Sequence, residues 1–411
     1  MSEFADGARP LAAATLGNMC GALTITTYSQ SFFVGPVTAE FGWSPGQFFL
    51  GFTISAILGM IAGPWIGSLA LKFNIRVIAM IGLVGHAIGY QLFSLNPNSL
   101  MLWYASWAAF TFLTAGSLPI IWTSILNSWF VKNRGKAIGV TMAGSGIIAF
   151  TLPPAIEFLI SSYGWRAAYQ VTGAAALVIS FPIVYLWFRE KTAVSFSEQE
   201  STPTGKSWGM TRKQAMRTAK FWNLAIVLFL SVFVVVGMLS NFGPIFGSFG
   251  VERQTIATLA AIMGATVIFG RLLVGALVDR FWAPAVAVFF FSLLTISLLL
   301  LINAPLSLAL GIGVSITIGL AAGAELDLLA YLTSKYFGPR NYSEVFGGIF
   351  AIFALGGGIS PAVFGEMAAR TGSYTAPLYL GVAFLLISLP LYLMLGSYPK
   401  AAIEEVQSTQ G

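Results

Sequence analysis

The stretch "AAGAELDLLAYL", Ala321 to Leu332, places Glu325 and Asp327 inside an otherwise apolar run. A single charge at the centre of a bilayer costs at least ~2.5–3.5 kcal/mol even on a lenient insertion scale. Two acids there need a partner, a proton or a task. A third ionisable group, Arg271, stands in the apolar run "FGRLLVGALVD". It lies eight residues before Asp279, or ~12 Å along a helix. Glu325 and Asp327 lie ten and eight residues before Lys335, so all three groups reach a similar depth. A planar guanidinium in a dry cleft suits two-point capture of a carboxylate. A desolvated carboxyl favours its neutral form and can carry a proton. The other reading is a structural ion pair of Arg271 with one of the acids, and both can hold in alternate states.

Glu325 and Asp327 are ~200° apart on a helix and cannot face the same way. Asp327 shares a stripe with Gly323, Tyr331 and Ser334, which turns it toward water. Glu325 shares one with Ala322, Leu326 and Leu329. The expectation is that one acid titrates and the other holds an ion pair or a helix contact, with Glu325 the preferred proton carrier in the cavity.

The elements that must position these groups are membrane spans. The chain has 411 residues, 57% hydrophobic and 9% charged, against about 25% charged in a soluble domain. Apolar windows long enough to cross a bilayer fall at 11–35, 47–71, 77–95, 99–126, 137–160, 167–188, 221–243, 255–278, 283–303, 306–334, 344–367 and 375–396. The fold class expected is all-α membrane protein with twelve transmembrane helices. With the N-terminus inside, seventeen Lys and Arg residues fall in cytoplasmic segments and only Arg166, Arg253 and Arg370 outside. Both termini are therefore expected in the cytoplasm, and the N-terminal segment is read as a retained first helix. The net charge of +6 lies in the short loops, which argues against a nucleic-acid partner. One Cys (Cys20) and one His (His86) leave no disulfide framework, metal centre or other cofactor to expect.

A shift of 208 residues superposes landmarks without a gap: Gly35 on Gly243, Pro36 on Pro244, Gly42 on Gly250, Gly67 on Gly275, Phe73 on Phe281, Pro153 on Pro361 and Gly164 on Gly372. Two parallel six-helix halves follow, at 1–188 and 221–411, joined by a polar cytoplasmic linker at 189–220. In the linker, "TRKQAMRTAKFW" reads as a short basic helix on the membrane surface. Parallel repeats of this kind are a transporter architecture.

The loop after the second span of each half carries G-x-L-x-D-R, intact in "GALVDRF" with Gly275, Asp279 and Arg280 and degenerate in "GSLALKF". In this the chain resembles the major facilitator superfamily. The glycine would allow close helix contact and the charges would hold a cytoplasmic gate. "YSQSFFVGP", "WFVKNRGKAIG", "YGWRAAY" and "GRLLVGALVD" carry a narrower resemblance to the monocarboxylate transporter and oxalate/formate exchanger branch. That resemblance implies a substrate carboxylate on the eighth-span arginine, whose place Arg271 takes. The exchangers' eleventh-span lysine falls near Ile349, so dianion exchange is not implied. A match through "YFG" (336–338) puts a cavity-lining position at Leu326, beside Glu325. The superfamily default is a monomer, and the expected location is a bacterial inner (plasma) membrane.

Further contacts to a substrate are expected from Tyr28, Phe33, Trp122, Asn241 and Tyr331, with packing or interhelical hydrogen bonding as the competing role. Asn241 stands beside the helix break expected at Gly243 and Pro244. His86 is expected buried, and Glu157 solvated near the outer end of its span. The function expected is proton-coupled uptake of a small organic anion. A proton-driven exporter of hydrophobic or cationic compounds is the alternative; a membrane enzyme or receptor is a remote one. No nucleotide-binding loop or nucleophile–His pair supports an enzyme.

Overall fold

The computed structural model describes residues 3–70, 72–130, 133–190, 208–338 and 340–399. These residues form helices α1 (Glu3–Met19), α2 (Ala22–Phe41), α3 (Pro45–Ala70), α4 (Ile75–Ser94), α5 (Leu100–Leu113), α6 (Pro119–Ser124), α7 (Leu126–Trp129) and α8 (Arg134–Trp187). After the linker come α9 (Arg212–Met216), α10 (Ala219–Ser240), α11 (Phe242–Ser248), α12 (Arg253–Val278), α13 (Ala283–Asn303), α14 (Leu308–Phe337), α15 (Tyr342–Thr371) and α16 (Thr375–Leu393). Residues 191–207 of the expected linker lie outside the described residues.

Nine helices among the described residues are long and apolar enough to cross a membrane. One of them, α8, is two passes folded at Gly164, whose φ of 81° and ψ of 165° are not helical. The other two passes are broken helices. The first expected span divides into α1 and α2 at Cys20 and Gly21, where a side chain on Gly21 would crowd the Ser117 carbonyl. The fourth divides into α5, a 3-10 turn at Ala115–Ser117, α6 and α7. Leu118 precedes Pro119 and is extended, with ψ of 151°, because a residue before proline is driven out of the helical region. The all-α, twelve-span class stands.

The 208-residue repeat has a backbone counterpart. Gly42 and Gly250 have φ of 70° and 79°, and Gly164 and Gly372 have φ of 81° and 71°. All four lie in the region where a Cβ is penalised. The matched glycines therefore turn the chain at equivalent places in the two halves. The helix breaks do not repeat. Pro36 is accommodated inside α2, whereas α10 stops at Ser240 and Asn241 leaves the helix with ψ of 14°. The break thus precedes Gly243 and Pro244, where the sequence put it. Pro244 offers no N–H to the Ser240 carbonyl four residues back, and its ring would collide with it.

The chain divides into two compact units. The first holds residues 1–196 together with 239–265. Its interior is an aromatic cluster in which Phe93, Trp103, Trp107, Phe110 and Tyr90 meet with ring centroids 4.8–6.4 Å apart. Each such ring buries a large apolar area. His86, fully buried, packs on Tyr90 and Phe110. The second unit holds residues 197–238 and 266–411. In it α13 packs against α14 and α16, and Tyr392 stacks on Phe291 and hydrogen-bonds Ser231 across 3.1 Å.

Candidate functional site

Two glycines bring α12 and α14 into backbone contact inside the second unit. A Cβ on Gly270 would strike the Leu320 backbone, and one on Gly323 would strike the Val267 carbonyl and the Arg271 amide. Small residues at such crossings let helices pack without a layer of side chains. Arg271 therefore leaves α12 at the crossing itself. Its Nε lies 3.7 Å from Oδ2 of Asp327, one helical turn beyond Gly323 on α14. That separation is an ion pair beyond hydrogen-bond length.

The two acids of α14 part company as their spacing requires. The Asp327 side chain is 41% exposed and that of Arg271 20%, whereas Glu325 is 7% exposed. The Oε2 of Glu325 makes no hydrogen bond to any described residue. Both carboxylates remain within electrostatic range of Arg271. Polar patterning turned Asp327 toward water, and it is the more exposed of the two acids; Glu325, expected to line an open cavity, is buried. Leu326, beside it, is exposed.

Other expected site residues are differently placed. Phe33 is fully buried and stacks on Tyr169, centroids 3.6 Å apart; Tyr169 in turn donates to Gln30. Trp122 is fully buried against Gly17 and Phe188, and its Nε1 donates to the Ser117 carbonyl at 2.9 Å. Both are core residues of the first unit and offer no surface to a ligand. Tyr28 in α2 is only partly buried. Asn241 is buried at the α10–α11 break. The Tyr331 hydroxyl donates to the Val278 carbonyl at 2.9 Å and its ring lies under the Lys335 ammonium. It ties the end of α12 to α14.

Gly275 has open space where a Cβ would stand, so it makes no close helix contact. Asp279 and Arg280 are exposed and join no ion pair among the described residues. In the degenerate first copy of the motif, Leu71 lies outside the described residues.

Three ion pairs among the described residues went unread in the sequence: Arg370–Glu366, one turn apart on α15, and two between distant segments. Glu157, expected solvated, is buried and accepts from Arg253 Nε at 2.9 Å and Nη2 at 3.2 Å. Glu40 accepts from Trp165 Nε1 and Arg166 Nη1, each at 2.6 Å. Nothing local to Arg253 or Arg166 in the sequence names its partner, which lies 96 or 126 residues away.

The family model described as Major Facilitator Superfamily matches residues 14–361. An uncharacterised 38 kDa protein of Thermoproteus tenax is 28% identical over 82% of each chain. Mouse monocarboxylate transporter 12 is 26% identical over 65% of this chain and 61% of its own length, and mouse monocarboxylate transporter 11 is 24% identical over 81% and 75%. A galacturonate transporter of Dickeya chrysanthemi matches only 26% of the chain, at 28% identity. Among solved structures, a bacterial homologue of the human lysosomal transporter Spinster superposes with a TM-score of 0.69 at 19% identity, covering 94% of this chain and 95% of that one.

Proposed function

The chain belongs to the Major Facilitator Superfamily, a multi-pass membrane transporter and not an enzyme, and from that premise we propose that it takes up a small organic anion with protons by alternating access. The observation that carries this reading is the Arg271–Asp327 pair, two opposite charges at the α12–α14 crossing with surface to offer a ligand. A substrate carboxylate competes with Asp327 for the guanidinium, and the fork of Arg271 then orients it. Glu325, buried and with its Oε2 short of a hydrogen-bond partner among the described residues, takes the co-transported proton. Asp327 holds Arg271 while substrate is absent. Loading the anion weakens that pair and so links the two ligands.

Relatives named for monocarboxylates and for galacturonate support an organic anion as cargo. With Phe33 and Trp122 in the core, a lactate-sized acid or a keto acid suits the Arg271 site as well as an aromatic one. The lysine and arginine distribution supports both termini in the cytoplasm, and the proposed location is a bacterial inner membrane. The half-exposed Asp327 is the feature an exporter of cations would use, which keeps that second reading testable.

Proteoliposomes holding the purified chain, supplied with a labelled monocarboxylate and an inward proton gradient, test the proposal. Accumulation that collapses with the gradient supports it. Accumulation of an organic cation under the opposite, outward proton gradient, with no response to carboxylates, replaces it with the exporter.

A further inference from the structure

Short helix α9 lies outside everything the transport site uses, yet it is firmly held. Thr211 and Gln214 form a reciprocal cap at its start, with the Thr211 amide donating to Gln214 Oε1 at 2.9 Å. Ala215 is buried beneath it. The preceding segment is tied to the end of α14, where the Met210 amide donates to the Phe337 carbonyl at 2.9 Å. The Trp222 indole donates back to the Met216 carbonyl, which fixes the far end against α10.

Between α9 and the first turn of α15 lies a shallow cavity of about 470 Å³, open to the surface and lined by the exposed Thr211, Arg212, Lys213, Met216, Arg217 and Glu344. This is the size of a small-ligand site. Lys213 and Arg217 stand four apart on one stripe, with Arg212 and Met216 on the next. Three cations face one carboxylate, and none of the four joins an ion pair among the described residues. The surplus positive charge and the two planar forks suit a phosphate more than a lone carboxylate. Thr211 adds a hydroxyl that can donate.

The rim of the cavity decides the source of the phosphate. Met216, on its wall, and Trp222, one turn into the membrane span, are both exposed large apolar side chains. A soluble phosphate has no use for them, whereas the glycerol and acyl chains of a lipid would cover them. Exposed Trp is also the residue that settles at the headgroup level of a bilayer. Basic pockets at the cytoplasmic ends of membrane helices hold anionic headgroups in this manner.

We propose that the cavity between α9 and the start of α15 binds the phosphodiester headgroup of an anionic membrane lipid through Arg212, Lys213 and Arg217, with Met216 and Trp222 against its acyl chains. Glu344 opposes the phosphate and limits its affinity. The bound lipid fastens α9, and through it the entry of the linker into α10, to the membrane surface.

The test uses the full chain in detergent micelles, with thermal unfolding followed as short-chain phosphatidylglycerol, its diacylglycerol counterpart and inorganic phosphate are titrated in turn. Phosphatidylglycerol is expected to raise the midpoint saturably and the other two to leave it in place. The R212Q/K213Q/R217Q variant should need at least about tenfold more lipid for the same shift, and Glu344→Gln several-fold less. Should the triple variant not fold, Lys213→Gln alone, an exposed change, should still weaken the response. Equal shifts in wild type and basic-residue variants would overturn the proposal. Inorganic phosphate reproducing the whole shift would also overturn it, in favour of a soluble phosphate site.

Discussion

Arg271 and Asp327 face one another at 3.7 Å across a helix crossing made of glycine, while Glu325, two residues from Asp327, is buried on the other side of α14. One helix thus supplies one acid that answers the arginine and a second that is removed from water.

Arg271→Lys keeps the charge and loses the fork. Affinity for a carboxylate substrate is expected to fall roughly tenfold or more, read by calorimetry on the purified chain. Unchanged affinity would take Arg271 out of the site.

Glu325→Gln copies the protonated carboxyl. It should keep substrate binding and substrate exchange across proteoliposomes, yet fail to accumulate substrate under an imposed proton gradient. Asp327→Asn should instead lower folded yield or block every mode of transport. If Asp327→Asn alone shows the uncoupled behaviour, the roles of the two acids are reversed.

Gly323→Ala places a methyl group against the Val267 carbonyl and the Arg271 amide. Overpacking at a backbone contact costs about 1–3 kcal/mol, and here it also displaces Arg271. A lowered unfolding midpoint with impaired uptake is expected, whereas Gly275→Ala, in open space, should change neither.

Glu157 and Arg253 should respond unequally. Arg253→Ala strands a buried carboxylate, at about 1–3 kcal/mol or more. Glu157→Gln leaves an arginine whose side chain is 54% exposed and can turn to water. Thermal unfolding of the two variants should rank Arg253→Ala as the less stable; the reverse order would mean that the pair is not what holds Glu157.

Glu40 provides a pH signature at the C-terminal end of α2. Hydrogen bonds from Trp165 and Arg166 hold its carboxyl below the ordinary value of 4.5. A group depressed in the folded state contributes stability above its unfolded pKa, lost as pH falls through the folded one. The site is solvent-exposed, so the contribution is about 1 kcal/mol at most. The difference in unfolding midpoint between wild type and Glu40→Gln should be present at pH 7 and be lost as pH falls below 4.5 and through the depressed folded-state pKa. A difference that persists in acid would point to packing of Trp165 instead.

Sequence alone determined the class, the number of spans, the 208-residue repeat and the opposed facing of Glu325 and Asp327. Each is a one-dimensional property: apolar length matches bilayer thickness, helical periodicity fixes angular separation, and glycine at Gly42 and Gly250 or Gly164 and Gly372 marks turns that only a residue lacking Cβ adopts readily. The break at Asn241 was legible to within a turn, because a proline acts on the carbonyl four residues behind it. Tertiary structure decided the rest. An aromatic such as Phe33 or Trp122 has the same chemistry in a core as in a cavity, and only its neighbours tell which it occupies. Glu157 looked solvated because its partner lies 96 residues away. The cavity under α9 joins residues more than 120 positions apart, and no local pattern brings Glu344 to Arg212. Only packing fixes which carboxyl keeps water and which loses it, since burial is a sum over neighbours that the order of residues does not contain.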